Sequence, residues 1–179
     1  MARLKREWRV ALVRAYPDLF HPAGDPAAVQ AFPDVGDGWR DLLERACARI
    51  RAAILADSGT FRATQIKEKY GTLRFYWDSG LSPMAASRAE EAIDLAEARS
   101  ACTCEVCGEV GQLYGDGWLT TRCMAHAEKR SPVEVRPGFE ILIKEWSVRD
   151  RRVIRCRRYD READRFIEVD PTAFANEET

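Results

Sequence analysis

Cys104-Glu105-Val106-Cys107-Gly108 and, after fifteen intervening residues counted from Gly108, Cys123-Met124-Ala125-His126 are the two stretches on which the reading of this chain turns. Zinc takes four nitrogen or sulfur donors in a tetrahedron, with sulfur about 2.3 Å from the metal. Two residues between Cys104 and Cys107 let one tight turn deliver both thiolates to a single ion, and Gly108 accepts the positive φ that turns the chain away. Residues 118–122 read as a short strand, and residues 123–130 as the start of a helix. Cys123 and His126 would then project from one helical face. Knuckle, hairpin and ligand-bearing helix form a treble-clef-like module, with structural zinc held by Cys104, Cys107, Cys123 and His126.

Other uses of these cysteines carry their own requirements. A redox CxxC expects a thioredoxin-like βαβ setting, which this neighbourhood lacks. Cys102, close to the first pair, could replace one of the four ligands. Cys47 lies on the apolar face of a helix and Cys156 in a strand, so both read as packing thiols.

Outward from the cluster, apolar periodicity defines the rest. Leu4, Trp8, Leu12 and Ala15 mark one face of a helix over residues 3–16 that Pro17 ends, and a Pro/Gly-rich loop follows to Gly38. Asp37 is placed to cap a second helix, whose buried face carries Trp39, Leu42, Leu43, Ala46, Ile50, Ala53 and Ile54. Residues 60–78 read as a β-hairpin turning near Tyr70-Gly71. Leu73, Phe75 and Trp77 share one face of the return strand, with Arg74 and Tyr76 on the other. Ser82-Pro83 supplies a capping hydroxyl and a first-turn proline for a helix running to about Arg99. Residues 138–147, 152–159 and 165–169 read as three strands of an antiparallel meander, and the tail after Pro171 is acidic. The expected class is α+β: helices packed on a β-hairpin over 1–100, a zinc module over 101–130, and a C-terminal three-stranded meander with its tail over 131–179.

Charge and motif content narrow the function. A formal net charge of −1 provides no global positive field to gather phosphate, so any nucleic-acid contact has to be local. The basic start lacks the apolar run of a secretory signal, and no stretch approaches a membrane span, so a cytoplasmic location with reduced thiols and no membrane association is expected. With His126 taken as a ligand, His21 alone remains for acid–base work, and it sits in a loop without a nucleophile pattern. No phosphate loop, dinucleotide fingerprint or nucleophile elbow is present. No catalytic residue is assigned.

Two surfaces mix cations with rings or lie dense in arginine. On the hairpin these are Lys67, Lys69, Arg74 and Tyr76, beside Tyr70. In the meander, Arg155 and Arg157 share one strand face, opposite Ile154 and Cys156. Both patterns suit phosphate and base contact, and both also suit ordinary solvent faces laced with cross-strand pairs.

In order, Trp39-Arg40-Asp41-Leu42-Leu43, residues 66–76 (IKEKYGTLRFY) and the Cys₃His cluster resemble a family of small uncharacterised proteins of bacteria and their phages. That family joins a GW-helix, a KEK-aromatic-G-x-LRFY hairpin and a cysteine–histidine finger. The likeness spans about Gly36 to His126 and implies zinc and a bacterial or phage origin; it transfers no activity. The expected function is a zinc-stabilised, non-enzymatic binding or regulatory accessory protein that engages a protein partner. A nucleic-acid binder using the hairpin and the arginine strands is the alternative, and a hydrolase or nuclease with a carboxylate site is a second.

Overall fold

Burying the apolar faces of two long helices on one side of a two-stranded sheet builds the core of this α+β chain. A computed structural model describes residues 2–21, 29–135, 141–148 and 151–170, with backbone alone at 2–6, 141, 143–148 and 151–153. Two compact units result, Met1–Val133 and Glu134–Thr179. The acidic tail and the first residues of the expected strand, 138–140, lie outside the described residues.

In the first unit, helix α1 (Ala2–Ala15) is followed by the single turn α2 (Pro17–Phe20). Trp8, Leu12 and Val13 are the buried face of α1, and Ala15 is exposed, so Val13 takes the place expected of Ala15. Helix α3 (Arg40–Leu55) buries Leu42, Leu43, Ala46, Cys47, Ile50 and Ala53. Burial pushes the Cys47 thiol up to about 12, consistent with an inert packing group. Asp37 does not cap this helix. A 3-10 turn, Asp37–Trp39, precedes it without a side-chain cap, and the Asp37 carboxylate instead accepts from Trp8 Nε1 at 2.9 Å and Arg9 Nη1 at 2.8 Å. A buried indole N–H needs an acceptor, and this one ties α1 to the start of α3.

Strands β1 (Phe61–Lys69) and β2 (Thr72–Ser79) form the hairpin, with Tyr70 and Gly71 both at positive φ in the turn. A register shift between Ala63 and Gln65 keeps Phe61, Ala63 and Ile66 all facing the core, where strict alternation would turn Ile66 outward. Leu73 and Phe75 are buried beside them, as the alternation of β2 predicts. Both hairpin edges are bonded near the turn. Asp34 N donates to Ile66 O and Glu68 N to Asp34 O on one side. On the other, Leu73 N donates to Ser100 Oγ at 2.8 Å and Phe75 N to Glu97 Oε1 at 3.1 Å. Side chains of helix α4 (Pro83–Ser100) therefore replace a third strand. Helix α4 starts as expected, with Ser82 Oγ accepting from Ala85 N, and its Ala89, Ala92 and Ala96 pack against the core.

Strands β3 (Gln112–Gly115), β4 (Leu119–Arg122) and β5 (Ser131–Pro132) make a small sheet in the order β4-β3-β5, which completes this unit.

The second unit is an antiparallel sheet in the order β6-β7-β8, from β6 (Ile141–Val148), β7 (Arg151–Asp160) and β8 (Arg165–Val169). Its β7–β8 turn is tied by polar groups: Asp160 Oδ1 accepts from the amides of Glu162 and Ala163, and Tyr159 Oη donates to Asp164 Oδ1 at 2.6 Å. Cys156 is buried, as expected of a packing thiol. Tyr159 meets Phe166 edge to face at 5.9 Å.

Candidate metal centre

The first ligand pair sits on a knuckle closed by backbone bonds. Cys104 N donates to Glu109 O and Gly108 N to Cys104 O, both at 2.8 Å. Gly108 adopts φ +84°, the conformation its position predicts. Strand β4 then carries the chain to Cys123, and a single 3-10 turn, Met124–His126, brings His126 back over it. No α-helix follows, contrary to the sequence reading. Glu128 and Lys129 take φ of +52° and +67°, which stops helical propagation after one turn. The ligands therefore come from two turns flanking a hairpin, without the ligand-bearing helix of a treble clef.

The four donors converge. Cys107 Sγ lies 3.7 Å from Cys123 Sγ, and His126 Nδ1 lies 3.7 Å from Cys104 Sγ and 3.2 Å from Cys123 Sγ. All four atoms fall within 4.8 Å of one another. A tetrahedron with metal–sulfur bonds of about 2.3 Å has sulfur–sulfur edges of about 3.8 Å, and slightly shorter sulfur–nitrogen edges. A disulfide would need about 2.05 Å. The spacing fits one metal ion of zinc's size, with the imidazole offering Nδ1. Cys104 is buried, Cys107 is exposed, and the other two are intermediate.

Electrostatics favour a cation here. Burial raises the Cys104 thiol, but the amides of Cys123, Cys107 and Val106 and the Cys107 side chain outweigh it and bring it down to about 7. At Cys107 a hydrogen bond from the Glu109 amide favours the thiolate, yet burial and the adjoining Cys104 and Cys123 sulfurs push it up to about 11. Ionising one sulfur opposes ionising the next, and a bound dication removes that opposition. Cys102 stays outside the cluster: its thiol donates to Arg99 O at 3.3 Å.

The surrounding residues bind the knuckle to the core. A Cβ at Gly38 would lie 2.2 Å from Cys104 O and 2.4 Å from Gly108 N, so only glycine permits this approach. Gly38 N donates to Glu105 O at 2.8 Å, and fully buried Trp39 donates its indole N–H to Thr103 O at 2.8 Å. Glu105 accepts from Gly36 N at 3.0 Å and lies 3.3 Å from Arg122, while burial raises its carboxyl. Thr121 Oγ1 donates to Gly71 O at 2.6 Å, which fixes the hairpin turn to β4. Gly36, Gly38, Trp39, Glu105 and Thr121 are support residues that ligand spacing in the sequence does not reveal. The sequence signal is the Gly36-Asp37-Gly38-Trp39 run, which reads wholly as a helix cap.

The remaining candidates divide. Lys67 Nζ stands 5.5 Å from the Tyr76 ring centre and Lys69 Nζ 5.1 Å from that of Tyr70. Arg74 donates to Thr72 Oγ1 and Leu73 O, each at 2.7 Å. In the meander, Arg155 pairs with Glu168 at 3.0 Å, and Arg157 is buried with its guanidinium 4.5 Å above Phe166. A groove of about 410 Å³ beside Cys107 is lined by Asp37, Arg40, Asp41, Glu44 and Arg99 among others. Most of its charges are paired, Arg40 with Glu44, Arg99 with Asp41, and Asp37 with Arg9, while Glu109 also lines it.

Fold and site together define an α+β protein with a Cys₃His group able to hold a metal ion. Searched against protein-family models, curated proteins and solved structures, the chain matches none of them. Among the described residues no helix is long and apolar enough to cross a membrane.

Proposed function

We propose that this chain is a zinc-stabilised, non-enzymatic binding protein of the bacterial or phage cytoplasm that engages a protein partner. One observation carries the structural role of the metal: four donors at tetrahedral spacing belong to loops bonded directly to the core through Gly38, Trp39 and Thr121. Four protein donors fill zinc's coordination and leave no position for water or substrate. Three thiols kept as ligands suit a reducing compartment. The ordered likeness of the GW-helix, hairpin and finger to small bacterial and phage proteins supports the origin.

The partner class is supported by apolar side chains left in solvent around the metal loops. Met124 is 88% exposed, Trp118 68% and Val110 63%. All three lie on or beside the loops that carry the ligands, and exposed apolar surface that is contiguous marks interaction sites. A photo-crosslinking residue at Met124 or Trp118 is expected to capture one predominant protein in host cells, and the same residue at exposed Leu55 is not. Equal capture at all three positions, or none at Met124 and Trp118, contradicts the partner assignment.

A further inference from the structure

We propose that the solvent face of the β1–β2 hairpin binds single-stranded nucleic acid, independently of the metal centre and its protein partner. The register places Lys69 opposite Thr72, Lys67 opposite Arg74 and Gln65 opposite Tyr76. These six residues share the face turned away from Leu73 and Phe75. Tyr70 closes the turn beside them and is 64% exposed, while Tyr76 is 43% exposed. Each ring has a lysine ammonium alongside it, Lys69 at Tyr70 and Lys67 at Tyr76. Among the described residues neither lysine forms an ion pair, although Asp34 bridges to Lys67 through the backbone. Arg74 donates to Thr72 Oγ1 and Leu73 O and forms a long ion pair of 3.9 Å with Glu97, whose other oxygen accepts from Phe75 N. The acidic residue further along the face, Asp78, is engaged by Arg62.

Rings interleaved with cations are what an unpaired strand needs: bases stack on the rings while ammonium and guanidinium groups meet phosphates. Duplex bases offer no free π-face, and Thr72 to Tyr76 spans only about 13 Å at ~3.3 Å per residue, which favours a few unpaired nucleotides. Bonds at Ile66, Glu68, Leu73 and Phe75 occupy the turn-proximal part of both hairpin edges, which disfavours strand addition there. The meander lacks such a surface at Arg155 and Arg157, because Arg155 is paired with Glu168 and Arg157 is buried against Phe166.

The test is fluorescence anisotropy of the full zinc-loaded chain with a labelled oligothymidylate and with a duplex of equal length. Preferential binding to the single strand is expected, with a log–log salt slope of about −2 from three cations at ~0.7 per phosphate. Lys67→Gln/Lys69→Gln is expected to weaken binding about tenfold or more and flatten the slope. Tyr70→Asn keeps the positive-φ turn, because asparagine tolerates it, and loses binding about fivefold or more through the missing ring. Arg155→Gln leaves binding unchanged. Absence of salt-sensitive binding, equal affinity for the duplex, full competition by polyglutamate, or unaltered binding by both hairpin variants overturns the proposal.

Discussion

The metal loops over 101–133 and the meander over 141–169 are both built from short strands, and they reach order by different means. In the first, the four donors lie within 4.8 Å of one another and the knuckle is bonded to Gly38 and Trp39 of the core. In the second, register is held by backbone ladders, by Tyr159 against Phe166, by buried Arg157 over the same ring, and by the Arg155–Glu168 pair. In the sequence the thiols carry a specific ligand spacing, whereas the cations fit binding and ordinary solvent faces alike. In the meander they are used in holding strands together. In the metal loops four side chains face inward on one point, and apolar residues are left outside.

Breaking the first arrangement is expected to have by far the greater consequence. Cys104→Ser removes the buried ligand and is expected to abolish stoichiometric zinc and leave residues 101–133 unprotected in hydrogen exchange, since metal binding supplies about 10–16 kcal/mol in small zinc modules. Retained zinc in that variant would show that Cys104 is not a ligand. Gly38→Ala tests the interlock without touching a ligand. Its methyl group would strike backbone of Cys104 and Gly108, and a stability loss of about 3 kcal/mol with weaker zinc retention is expected by denaturant titration. In the meander, Arg157→Ala is expected to cost about 1–2 kcal/mol, seen as lowered protection of β7 and β8 amides with zinc content unchanged.

A smaller effect concerns the closed edge of the hairpin. Burial raises the Glu97 carboxyl, and the Phe75 amide and Arg74 recover only part of that cost. A carboxyl whose folded pKa lies above its unfolded value holds its proton more tightly in the native state. Stability from this group is therefore greatest below the unfolded pKa and falls as pH rises through the folded one. Glu97→Gln keeps an oxygen for Phe75 N and is expected to flatten the fall in melting temperature on going from acidic to neutral pH. An unchanged pH profile would place the source of that slope elsewhere. Arg155→Ala, at an exposed pair, is expected to cost less than about 1 kcal/mol.

Most of the fold was legible because local rules agreed with tertiary ones. Ser82-Pro83 opens α4, Tyr70-Gly71 turns the hairpin, and the apolar spacing of Leu42 to Ala53 marks the buried face of α3. The four donor residues were legible for the same reason, since ligand spacing is local within each pair. What was hidden depends on distant partners. Asp37 satisfies every rule for a helix cap, yet Trp8 and Arg9 claim its carboxylate from 29 and 28 residues away. The bulge between Ala63 and Gln65 answers a core that only the folded chain possesses. The helix expected after Cys123 fails at Glu128 and Lys129, where neither glycine nor proline marks the positive φ. In the meander, alternation paired Arg155 with Arg157 correctly on one face but could not reveal that Phe166 covers only the latter.

The GDGW run, the hairpin turn and the cysteine–histidine finger are three separate motifs along the chain, and in space they touch through Gly38, Gly71 and Thr121. That contact gives a physical reason for them to occur together. It also makes the metal centre part of the core's own architecture. X-ray absorption at the zinc edge of the purified chain tests this most directly. One zinc per chain with three sulfur neighbours at about 2.3 Å and one nitrogen at about 2.0 Å is expected. A fully folded chain without metal, or one whose metal carries water in place of any of the four side chains, would contradict it.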